Sequence, residues 1–197
     1  MMAASAPEAS AVSRDSHRSD HFSAGRRAFL GRSGAVLLAA APAAAWARTA
    51  ESRSLSFVHT HTGETLTCAY YQAGGYAPAQ LGRVNHFLRD FRTGEVHRID
   101  PGVLDILFEL KTRAGCDAPF HVISGYRSPQ TNAMLHSRSS GVAVHSLHMR
   151  GQAIDVRLPG VPTKRVQELA LALRRGGVGY YPESDFVHLD TGRVRFW

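Results

Sequence analysis

The chain has 197 residues, 44% of them hydrophobic and 20% charged, with a formal net charge of +7. That composition bounds it to one globular domain plus an extension and excludes a repeat array or coiled coil. The positive charge would suit nucleic acid, but no RNA- or DNA-binding motif accompanies it, and nucleic acid is set aside as a partner.

Residues 1–47 read as an export signal. Met1 to Ser23 is polar, lacks apolar periodicity and is expected to be disordered. A twin-arginine pair, Arg26-Arg27, follows, with Phe29 and Leu30 after it and an Ala- and Leu-rich run from Ala35 to Ala45. That run is too short for a membrane span, which needs about 20 apolar residues, so no permanent anchor is expected. Ala45-Trp46-Ala47 fits a small-x-small cleavage site and makes Arg48 the first mature residue. The expected early partner is therefore the twin-arginine translocation machinery, which exports folded proteins to the periplasm or cell-wall space. Five Arg and three acids leave with the signal, so residues 48–197 keep 18 basic and 13 acidic residues, a net +5. Acidic polymers of the envelope suit that surface.

Ser54 to His59 and Thr65 to Tyr71 are β-rich runs around Gly63 and predict a hairpin, with His59 and His61 as surface strand residues. Leu81, Val84, Phe87, Leu88 and Phe91 have helical spacing and predict a helix over 78–92. A second helix follows Asp100-Pro101 and stops near Gly115, and Phe120 to Ser124 is a compact strand. Helix resumes from Pro129 through Ser137, and a polar loop, 137–141, leads on towards His148. His145 lies on this approach, exposed or supporting. Pro162 to Arg175 is amphipathic and helical, and three short strands, 178–181, 186–190 and 193–197, end the chain. Two cysteines, Cys68 and Cys116, either form a disulfide in an oxidising compartment or stay as free thiols.

The centre of the chain is Ser146-Leu-His-Met-Arg-Gly-Gln-Ala-Ile-Asp155. Alternation after Gly151 puts Ala153, Asp155 and Arg157 on one face of a strand and Ile154, Val156 and Leu158 on the other. A turn at Gly151 folds His148 back beside Asp155. Downstream, Phe186, His188 and Asp190 share one parity, so His188 can meet both. Two imidazoles and a carboxylate, with a fourth position left to water, form the ligand set of a catalytic zinc site.

Ser-x-His-x-x-Gly-x-Ala-x-Asp followed by Asp-x-x-His resembles the zinc peptidases of bacterial cell walls, the D-alanyl-D-alanine carboxypeptidase and murein endopeptidase family. Lysostaphin-type enzymes and the hedgehog signalling domain share its fold. Within the family the resemblance is to the exported murein endopeptidase branch, over about residues 55–197. It implies an α+β fold in which helices pack on the outer face of a central antiparallel sheet, and the mixed order of helices and strands agrees. It implies one Zn2+ per chain on His148, Asp155 and His188, and peptidoglycan stem or cross-link peptides as substrate. Gly125-Tyr-Arg-Ser128 matches the family segment that brings an arginine to the site mouth, which makes Arg127 catalytic and puts Ser128 and Ser146 beside metal or substrate. The family's general base, an acid three residues before the last histidine, is Asp185. Strict alternation turns Asp185 away from His188, so it reaches the site only if the strand starts after it or bulges. Asp190 has the right parity to orient His188 or to serve as base itself; Glu183 is the weakest candidate. A non-catalytic zinc-containing peptidoglycan-binding module is the alternative function, and a domain of this size is expected to be a monomer.

Overall fold

The computed structural model describes residues 52–139 and 141–197. The expected export signal, 1–47, lies outside them. One eight-stranded sheet carries the fold, in the order β3-β2-β1-β4-β5-β7-β6-β8. Its strands are β1 (Arg53–His59), β2 (Thr65–Gln72), β3 (Gly75–Tyr76), β4 (Phe120–Ser124), β5 (Ala153–Arg157), β6 (Gly177–Tyr181), β7 (Phe186–Asp190) and β8 (Arg195–Phe196). Among the described residues four α-helices accompany them: α1 (Pro78–Phe87), α2 (Pro101–Ala114), α3 (Pro129–Arg138) and α4 (Thr163–Leu173).

The expected α+β class is present, and the sheet is mixed rather than wholly antiparallel. Five pairs are antiparallel, and β1–β4 and β6–β8 are parallel. A parallel pair needs a long crossover, and the segment carrying α1 and α2 supplies it between β1 and β4. Helix α2 starts where Asp100 caps the amide of Gly102 and Pro101 occupies the first turn, and it ends at Gly115. Helices α2 and α4 pack on each other; α4 also lies over β6 and β7, and α2 over β1 and β7. Leu104, Leu107 and Leu110 are completely buried there, each contributing about 1.5–3 kcal/mol. Val187 and Leu189, on the opposite parity from His188, join the same core.

Two readings of the sequence change, and one left open is decided. Helix α1 ends at Phe87 rather than Arg92, because Asp90 folds the chain into a turn: its carboxylate accepts from the amides of Arg92 (3.0 Å) and Ser128 (2.9 Å). His59 is buried, not on the surface, with its ring edge against Phe87 and Phe91 and its Nδ1 accepting from the amides of His61 and Thr62. Cys68 and Cys116 are both free thiols. Among the described residues no helix is long and apolar enough to cross a membrane.

Candidate metal centre

His148 is set by the chain immediately before β5. Leu147–Arg150 forms one turn of 3-10 helix, capped at its start by the Ser146 hydroxyl, which accepts from the His148 amide at 3.3 Å. Gly151 closes the turn at φ 64°, and the carbonyl of Arg98 occupies the space a side chain there would need, so only glycine fits. The chain then runs into β5, where Asp155 pairs directly with His188 of β7, while Ser124 of β4 and Gly179 of β6 continue the same row across the sheet. Residues directly opposite in register project from the same face. The turn and the row together bring His148, Asp155 and His188 to one point, as expected from their spacing.

Three atoms meet there: Asp155 Oδ1 lies 3.2 Å from His148 Nε2 and 2.8 Å from His188 Nδ1, and the two nitrogens are 3.1 Å apart. The outer nitrogens fix the tautomers. His148 Nδ1 is 2.7 Å from the Gly125 carbonyl, which can only accept, so the hydrogen sits on Nδ1 and Nε2 presents a lone pair. His188 Nε2 likewise faces the Asp190 carboxylate at 3.1 Å, which leaves the Nδ1 lone pair pointing inward. With both rings neutral, three lone pairs thus converge on one point, an arrangement that calls for a cation, either a proton shared between His188 and Asp155 or a metal ion. Four-coordinate zinc with bonds near 2.0–2.1 Å sets its ligand atoms about 3.3 Å apart, so the triangle has very nearly the right size. Among the described residues no other group of three His, Cys, Asp or Glu side chains converges in this way.

The proton affinities reflect the same crowding. Burial works against a charge on His188, yet its hydrogen bonds to Asp155 and Asp190 outweigh this and raise it to about 9. Burial holds His148 below its usual value. Burial also pushes the Asp155 carboxyl up, but His148 and His188 overcome that and keep it well below the ordinary carboxylate range. The centre is built to hold positive charge.

A family model described as peptidoglycan L,D-endopeptidase MepK matches residues 47–197. The chain belongs to this family. It is similar to peptidoglycan L,D-endopeptidase MepK of Escherichia coli, 43% identical over 181 residues that cover 90% of this chain and all of that protein. It is also similar to the probable peptidoglycan L,D-endopeptidase MepK of Haemophilus influenzae, 45% identical over 150 residues, 76% of this chain and 81% of that one. The cell-wall peptidase resemblance of the central motif and the family therefore coincide.

Asp190 meets His188 at Nε2, the ring nitrogen that does not face Asp155. Only 1% exposed, it accepts from His188, from the amides of Gly177 and Gly192, and from the Arg195 guanidinium. Burial opposes its charge, but these donors keep it well below the ordinary carboxylate range. A carboxylate behind a ligating histidine fixes the ring and raises its basicity.

Arg127 also reaches the centre. Its Nη2 lies 3.6 Å from Asp155 Oδ2, and its remaining contacts are loose, 3.4 Å to Ser124 Oγ and 3.5 Å to Asn132 Oδ1, with Nε unpartnered. It is a cation with donors to spare at the edge of a cleft of about 290 Å3 that His148, Asp155 and His188 also line. Ser146 lines that cleft; Ser128 does not. Its buried hydroxyl caps α3 through the Thr131 amide at 3.2 Å, a structural task in place of the expected contact with metal or substrate.

Asp185 is placed elsewhere, as is the exposed Glu183. Strand β7 begins at Phe186, and Asp185 precedes it in a turn at φ 50°. Its exposed carboxylate is held by Arg157 (3.0 Å) and the Thr163 hydroxyl, and it borders a separate surface hollow. The strand does start after Asp185, yet its carboxylate faces Arg157 and Thr163 and is not among the groups that line the cleft with His148, Asp155 and His188.

Sequence reading missed the aromatic wall of the cleft, formed by Tyr181, Phe186 and the C-terminal Trp197. One signal was available. An isolated glycine inside a strand marks a close approach, and a Cβ on Gly179 would meet the Trp197 ring at 2.7–2.8 Å.

Proposed function

We propose that the protein is a zinc-dependent peptidoglycan peptidase that hydrolyses an L,D peptide bond in stem or cross-link peptides of the bacterial cell wall. The observation that carries this reading is the convergence of three lone-pair donors, His148 Nε2, Asp155 Oδ1 and His188 Nδ1, on one point open to a cleft. The bond class follows the name of the relatives, which are L,D-endopeptidases.

Zinc held by those three atoms would supply a Lewis acid for the scissile carbonyl and an activated water. Asp190 keeps the His188 proton on Nε2, so that Nδ1 stays available as a ligand. Arg127, with an unpartnered Nε and weakly held Nη atoms, grips a carboxylate of the peptide or the oxygen that gains charge during attack. His145 and Tyr181 are the cleft-lining groups outside the ligand set and the arginines that can exchange a proton. The protein works as a monomer in the periplasm or cell-wall space, having left the cytoplasm by the twin-arginine route with residues 1–47 removed.

One observation favours a second reading, a non-catalytic peptidoglycan-binding module: among the described residues the cleft has no side-chain carboxylate besides Asp155 to act as base. Two variants test the favoured reading. His148→Ala and Asp155→Ala are each expected to lose bound metal, from about one per chain to under a tenth, and peptidase activity with it. Either variant keeping both would end the proposal.

A further inference from the structure

We propose that Tyr181 donates a hydrogen bond to the carbonyl oxygen of the bond being cut, and that Trp197, the last residue of the chain, is the positioning residue that holds it there. The inference deepens the peptidase reading and rests on it.

Ser124, Asp155, His188 and Gly179 form one row across β4, β5, β7 and β6. The row ends at a residue without a side chain, and the indole of Trp197 fills the vacant place. The backbone of Trp197 is pinned beside β6: its carbonyl accepts from the Tyr180 amide at 3.1 Å, and its amide donates to the Val178 carbonyl at 3.3 Å. One side of the indole is shared with His188, ring centroids 5.2 Å apart, and the Arg195 guanidinium sits over it at 4.9 Å. Arg195 is itself anchored on Asp190. The terminal residue is thus tied to the same carboxylate that holds a metal ligand, although nearly half of it is exposed.

The indole does one further thing. Its Nε1 lies 2.9 Å from the Tyr181 hydroxyl. An indole N–H can only donate, so the phenol oxygen accepts and its own hydrogen must point away from Trp197. Stacking on Phe186, with ring centroids 4.6 Å apart and planes 17° from parallel, fixes the phenol ring. All three aromatic residues line the cleft that contains the ligands and Arg127. Tyr181 is near enough to Arg127 for the two groups to interact electrostatically. A phenol whose oxygen is already engaged from behind, lining the same cleft as a cation, is a preorganised donor for developing negative charge.

The step needs no proton from Tyr181. Water oxygen adds to the carbonyl carbon, the C=O electron pair moves onto oxygen, and the Tyr181 O–H and Arg127 stabilise it. Collapse breaks the C–N bond, and the proton released by the water ends on the departing nitrogen.

The test uses the full-length exported protein, Tyr181→Phe, Trp197→Phe and the double variant, assayed on cross-linked muropeptides with bound metal measured alongside. Phe at 197 keeps an aromatic ring, smaller than the indole, near Gly179 and His188 and removes the N–H. Tyr181→Phe is expected to lower kcat about 100- to 1000-fold with KM changed less than about threefold. Trp197→Phe should lower kcat about tenfold, with the double variant no slower than Tyr181→Phe and about one metal per chain in all three. Tyr181→Phe keeping half the wild-type kcat overturns the inference, as do losses that multiply in the double variant. Metal lost from Trp197→Phe also overturns it, because the indole would then serve His188 instead. Wild-type protein that holds metal and cuts nothing brings down the peptidase reading itself, a result distinct from all of these.

Discussion

Asp90 makes a sharp quantitative test, because one buried carboxylate joins three parts of the chain. Its oxygens accept from the amides of Arg92 and Ser128, and the hydroxyls of Ser128 and Thr131 add to the site. Burial pushes its pKa up, but these donors win and bring it from the ordinary 3.8 to about 2. That difference is worth roughly 2 kcal/mol of folding stability at neutral pH. The sign follows from the direction. A carboxyl with a lowered folded-state pKa stabilises the fold above its unfolded value, near 3.8, and the contribution disappears as pH falls through about 2. Asp90→Asn removes the charge and turns an amide N–H towards one of the backbone donors. Equilibrium urea denaturation should show the variant about 2 kcal/mol less stable at pH 7, a fall in Tm of roughly 4–8 °C for a domain of this size. The gap should persist to about pH 4 and shrink to under about 1 kcal/mol by pH 2.5. Equal stability at pH 7, or a gap that stays constant down to pH 2.5, would refute the reasoning.

Two further substitutions probe the site. Asp190→Asn should weaken metal binding about 10- to 100-fold in chelator competition, because His188 loses the carboxylate that fixes its tautomer; unchanged affinity would show that the ring is held by packing alone. Asp185→Asn should leave kcat/KM within about twofold of wild type, since its carboxylate is spent on Arg157 and Thr163; a loss above about 100-fold would return the role of base to Asp185.

The cluster of His148, Asp155 and His188 was legible only in parts. The turn at Gly151 sets His148 beside Asp155 and the period of two in β5 and β7 gives Asp155 and His188 matching faces, both visible in the chain, whereas the pairing of β5 with β7 that joins those faces spans 33 positions and was implied by the family resemblance alone. The caps of α2 and the alternation of β7 were readable because they are local. What sequence could not supply depended on contacts between distant segments. Ser128 reads as a site residue by motif, but it takes the role of helix cap because Pro129 follows it and Asp90, 38 positions earlier, holds its amide. Asp185 occupies the family position for the base, yet Arg157, 28 positions away across the fold, captures it. Trp197 enters the cleft only because β8 returns parallel to β6, a pairing that no local period encodes. His59 sits in a short alternating run at the end of β1, and its burial is decided by Phe87 and Phe91 from the segment after β3.

The most direct test of the account is to incubate the purified protein, its metal content determined, with cross-linked peptidoglycan fragments and to follow the products by mass spectrometry with and without a chelator. Cleavage is expected to stop with the chelator and return with zinc, giving product masses of an L,D cut. Cleavage untouched by the chelator, or one bound metal per chain with no product from any fragment, would contradict it.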